Sequence, residues 1–89
     1  MRAIVTVVGR DRVGIIAEVS ALLSRSGVNI LDITQTVLQD YFTMAMLVDT
    51  SGCPKPFAEL ADELDARASE MGVSIRIQRE DIFDAMHKI

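Results

Sequence analysis

Two short stretches of this sequence carry residue types able to hold a small polar molecule. The first is Gly9-Arg10-Asp11-Arg12-Val13-Gly14-Ile15, lying between an aliphatic run and an amphipathic one. The opening amides of a helix have no partners inside it, and that end carries partial positive charge. A carboxylate or another anion fits there. Gly14 has no side chain, so a ligand can approach its backbone closely. Asp11 either caps the helix or takes up a ligand ammonium. The second stretch is Asn29-Ile30-Leu31-Asp32, where Asn29 can donate and accept hydrogen bonds and Asp32 adds charge. Each stretch alone also has an ordinary reading. One is a capped turn; the other is a turn-shaping asparagine beside a solvated aspartate.

Other reactive residue types form no constellation. His87 is the one histidine and Cys53 the one cysteine, which leaves no metal set of familiar spacing and no internal disulfide. Cys53 has no histidine near it in sequence to act as its base. The five methionines are read as core filling. Glu59, Asp62, Glu63 and Asp65 are read as the wet face of a helix, not as a general acid–base pair.

The elements that must position the two stretches follow from periodicity. Residues Arg2 to Val8 read as a strand ended by Gly9. A helix is predicted from about Val13 to Ser26, with Ile15, Ile16, Val19, Leu22 and Leu23 at helical spacing and Gly27 in the left-handed position after its end. Residues Val28 to Leu38 alternate, with Leu31, Ile33 and Val37 against Asp32, Thr34 and Thr36, as a strand with one wet face does. A turn near Gln39-Asp40-Tyr41 leads to a third strand, Phe42 to Val48. A second helix starts near Phe57 behind Pro56 and closes at Gly72, and a fourth strand covers Val73 to Gln78. Ile82, Phe83, Met86 and Ile89 make the tail a short amphipathic helical segment that folds back on the body.

The order βαββαβ predicts an α+β, ferredoxin-like domain spanning residues 1–89. Its four-stranded antiparallel sheet carries both helices on one face. Strands one and three are apolar on both faces, so the other face wants cover as well.

Taken together, Gly9-x-Asp11-x-x-Gly14-Ile15, the amphipathic helix and Gly27-Val28-Asn29-Ile30 resemble the ACT domain. The likeness runs along nearly the whole chain. It is nearest to small stand-alone ACT proteins of a bacterial and archaeal group, through Ala3-Ile4-Val5-Thr6-Val7-Val8-Gly9, Asp32-Ile33-x-Gln35-Thr36-Val37, Tyr41-Phe42-Thr43-Met44 and Ile82-Phe83-Asp84-Ala85-Met86. The resemblance implies a regulatory module that binds an amino acid or related small ligand, uses no cofactor and is not an enzyme. It implies sheets assembled side by side, as a homodimer or higher oligomer, with the ligand at the subunit interface. Carried onto this chain, the site takes Asp11, Arg12, Val13, Gly14 and Ile15 from one subunit, and Asn29, Ile30 and Asp32 from the same or the neighbouring one. Its output would pass through a partner such as a metabolic enzyme.

The bulk composition narrows the partners. A net charge of −4 with scattered basic residues argues against nucleic acid and anionic membrane surfaces. The first residues do not read as a signal peptide, no apolar run approaches bilayer length, and the cytoplasm is the expected compartment. A mean hydropathy of +0.28 points to apolar surface left for a partner. Two rivals remain open. One is a ligand-free assembly module. The other is an acylphosphatase-like enzyme, using Arg10 or Arg12 with Asn29.

Overall fold

Alternation along β1 (Arg2–Arg10) puts Ala3, Val5 and Val7 in the core, with Ile4, Thr6 and Val8 on the opposite face. The same period along β3 (Tyr41–Asp49) buries Phe42, Met44, Met46 and Val48. A computed structural model supplies the three-dimensional description, for residues 1–10 and 13–82. Its remaining elements are α1 (Ile15–Arg25), β2 (Asn29–Leu38), α2 (Phe57–Met71) and β4 (Val73–Arg79). Residues 80–82 begin a further helical turn. The tail contact expected of Phe83, Met86 and Ile89 lies outside the described residues.

The sheet order is β2-β3-β1-β4, with every neighbouring pair antiparallel. Both helices cover one face, as the element order predicts. Ile15, Val19, Leu22 and Leu23 of α1 and Leu60, Leu64 and Ala68 of α2 join a single core with the inward residues of β1, β3 and β4. Each fully buried aliphatic side chain there contributes about 1.5–3 kcal/mol. Ser26 ties the helices together. Its hydroxyl sits 3.0 Å from the Leu22 carbonyl and 3.1 Å from the Glu63 carboxylate, which also accepts from the Lys55 ammonium.

Three expectations about the elements are corrected. Gly9 does not end β1, which pairs on through Gly9 and Arg10 with Phe42 and Tyr41. Helix α1 begins at Ile15, not Val13, and its cap position is Gly14 rather than Asp11, which lies outside the described residues. Strand β2 has no dry face. Apart from half-buried Ile30 it is exposed throughout, because it is the edge strand and the helices leave it uncovered. Its register slips at Leu31, between Ile30 opposite Val48 and Asp32 opposite Leu47. That bulge takes Leu31 out of the row of Ile33 and Val37.

Candidate functional site

The entrance to α1 is built around Gly14. Its backbone is left-handed, at φ 88°, which glycine adopts without strain. As the cap residue it brings no side chain to the first amides of the helix. Its two chain neighbours aside, no atom of the described residues would lie within 4 Å of a Cβ at this position, so the space on that side of the backbone is open. The helix proper is anchored one residue later by Ile15, which is 2% exposed.

Opposite this entrance stands the far end of β2. Gln35 pairs with Met44 and Val37 with Phe42, so both belong to the helix-covered face of the sheet. Because no helix covers them, a gap remains between α1 and β2. It is a cavity of about 470 Å³ lined by Gly14, Ile15, Ile16, Ala17, Gln35, Val37 and Phe42. Small-molecule pockets run from roughly 300 to 1,000 Å³. At the neighbouring corner, the Arg10 guanidinium lies 5.9 Å from the centre of the Tyr41 ring, a cation–π contact that holds the end of β1 against the β2–β3 turn.

The sequence-predicted residues divide. Gly14 and Ile15 line the cavity. Val13 stands almost fully in solvent just before it. Asp11 and Arg12 lie outside the described residues. Asn29 and Ile30 pair with Asp49 and Val48, at the end of the sheet where β1 starts. At about 3.3 Å per strand residue, Asn29 is roughly 25 Å along β2 from Val37. Asp32 is exposed, and its carboxylate accepts the N–H of Ile33 at 2.8 Å. One chain therefore does not bring the two candidate stretches together. The residues that do face Gly14 across the cavity are Gln35 and Val37, with Ile16 and Ala17 on the helix side. Their signal was present as a lone polar residue inside the apolar row Ile33-x-Gln35-x-Val37.

A groove of about 530 Å³ between the helices is lined by Glu18, Leu22, Arg25, Arg67, Glu70 and Met71. Its walls are largely exposed charges of both signs, and Arg67 meets Glu70 at 3.5 Å. Among the described residues no cluster of His, Cys, Asp and Glu is placed to hold a metal. Cys53 is half-buried in the loop before α2, its N–H donating to the Thr50 carbonyl at 2.9 Å. His87 lies outside the described residues. No helix among the described residues is long and apolar enough to cross a membrane.

Comparison with known proteins adds three likenesses and a family. The family model for the ACT domain matches residues 2–78. A UPF0237 protein of Clostridium acetobutylicum is 51% identical over 89 residues, the whole length of both chains. The solved structure of an ACT domain protein from Streptococcus pneumoniae matches with a TM-score of 0.84 at 46% identity, over 98% of each chain. A formyltetrahydrofolate deformylase from Pseudomonas syringae shares the fold, with a TM-score of 0.78 at 23% identity. That match takes in 88% of this chain and 27% of the deformylase.

Proposed function

We propose that this chain, which belongs to the ACT domain family, is a regulatory module that binds an amino acid or a close relative of one and catalyses no reaction on it. ACT domains are small-molecule-binding regulatory modules. The observation that carries the reading here is the open space beside Gly14, facing Gln35 and Val37 across the cavity. A second copy set antiparallel along β2 would bring its own Asn29–Asp32 end toward that cavity. The two stretches that one chain keeps apart would then meet at an interface. The ligand's effect would pass to a partner, such as a metabolic enzyme, through a change in that assembly.

The test is the melting midpoint of the purified protein with each of the twenty amino acids. A ligand at 100 times its dissociation constant adds about 2.7 kcal/mol of stability. Gly14→Val fills the open space and is expected to weaken the active ligand by roughly tenfold or more, about 1.4 kcal/mol. Its own cost to folding, about 1–2 kcal/mol for a side chain at positive φ, is read separately without ligand. A midpoint that no amino acid moves would sink the proposal.

One observation favours a second reading, an assembly module without ligand. The sheet face away from the two helices carries Ile4, Val8, Ala45 and Leu47, and Val8 is 42% exposed. The acylphosphatase-like alternative loses support within one chain, because Asn29 lies at the opposite end of the sheet from Arg10, the last residue of β1.

A further inference from the structure

We infer that the groove between α1 and α2 is a contact surface for a second copy of this chain, laid helix on helix with the two grooves running in opposite directions. Glu18, Leu22 and Arg25 of α1 line it on one side, and Arg67, Glu70 and Met71 of α2 on the other. Strands β1 and β2 both run against β3, and β3 and β4 both run against β1. The helix joining each parallel pair must return along the sheet, so α1 and α2 lie antiparallel. The Ser26 hydroxyl, 3.1 Å from the Glu63 carboxylate, sets their register. At about 1.5 Å per residue, Arg25 and Arg67 stand roughly 1.5 and 6 Å along the groove from that contact. Glu70 and Glu18 stand roughly 10 and 12 Å along it.

The groove is therefore basic toward one end and acidic toward the other, with Leu22 and Met71 as its apolar part. A surface polarised in this way repels a copy laid parallel and attracts one laid antiparallel. That contact is isologous, since each copy's Arg25 and Arg67 face the other's Glu70 and Glu18. Arg67 already meets Glu70 at 3.5 Å within one chain, but both side chains are exposed. Such a pair is weak, and the guanidinium keeps donors to spare for another carboxylate. Arginine and methionine are also residue types that interfaces favour. The groove opens away from the sheet, so its occupant leaves the edge of β2 free. A contact built on exposed charges is loose, and it is expected to form only at high protein concentration.

The experiment is sedimentation equilibrium on the full chain. In low salt the mass is expected to double between tens of micromolar and about 1 mM, and in about 1 M salt to stay at its lower value. Arg25→Glu combined with Arg67→Glu makes the groove acidic along its length and is expected to abolish the doubling. Glu70→Lys makes most of it basic and is expected to do the same; it carries the test alone should the first variant not fold. Mixed in equal amounts, the two variants are expected to restore the higher mass. Glu59→Lys makes the same charge change on α2 outside the groove, and its mixture with the acidic variant is expected to stay at the lower mass. A mass that does not rise with concentration overturns the inference and leaves the groove to a different protein or a small amphoteric molecule. A rise that salt or both variants leave unchanged overturns it too, as does equal association with Glu59→Lys.

Discussion

Asp49 ends β3 with a carboxylate that accepts two hydrogen bonds from Ser51, one from the hydroxyl at 2.6 Å and one from the backbone N–H at 2.9 Å. The hydroxyl contact is the larger influence and the backbone contact the next; both favour the ionised form and hold the carboxyl below its ordinary value. A group whose folded value is depressed contributes stability above its unfolded value and loses it as pH falls through the folded one. Asp49→Asn is therefore expected to melt below the parent at neutral pH, with the gap closing as acid protonates Asp49 in the parent. Melting midpoints of both proteins from neutral to strongly acidic pH check this. A gap constant across that range would assign the loss to hydrogen-bond geometry instead of charge. Single residues also mark how far sequence reading reaches. Gly27 was legible as the left-handed residue after α1, and its φ is 80°. Its second duty was not legible. A Cβ there would come within 2.5 Å of the Gly52 carbonyl oxygen, a close approach that only the folded chain creates.

At the scale of elements, local period was readable and coverage was not. The alternation of β2 correctly groups Ile33 with Val37 on the helix-covered face. What alternation cannot tell is whether a helix reaches as far as this strand on that face, and here none does. The gap left by that uncovered strand is the cavity, so the candidate site follows from an element-scale fact. Gly9 shows the converse. A glycine reads as a strand end, but β1 continues because Val73 of β4 packs onto the bare position. A Cβ at Gly9 would sit 2.6 Å from Val73 Cγ1 and 3.0 Å from its Cβ. Glycine inside a strand marks such close approaches. Gly9→Ala is expected to cost about 1–3 kcal/mol through overpacking, since a β-branched valine has little freedom to yield. Adding Val73→Ala removes Cγ1, and the double variant is expected to be more stable than the two single losses added together, by about 0.5–3 kcal/mol. Denaturant unfolding of the four proteins in that cycle measures it, and strict additivity would show that the two positions do not touch.

For the whole molecule, the fold class was legible because every element carries its period and the order of elements leaves few topologies. The candidate site was half legible because its parts are distant in sequence, and because Asn29, Ile30 and Asp32 lie at the wrong end of the same chain's sheet. That displacement, the edge of β2 that no other described strand pairs with, and the sheet face that no described helix covers have one common remedy, a second copy. Strand β2 carries one charged residue, Asp32, and neither lysine nor proline, the devices that usually keep an edge strand from pairing. The sheet face away from the helices adds a depression of about 220 Å³ around Ile4, Thr34, Ala45 and Leu47. Light scattering at tens of micromolar is expected to give twice the 9.8 kDa of one chain. Thr36→Lys places a gatekeeping charge on the edge strand, on the outer face opposite Thr43, and is expected to yield the monomer. If the neighbour's Asn29 end completes the site, ligand response falls with the dimer in that variant, although Thr36 lines no part of the cavity. A monomeric parent that still binds ligand would instead make the cavity beside Gly14 sufficient alone, and would leave Asn29 and Asp32 without a part in it.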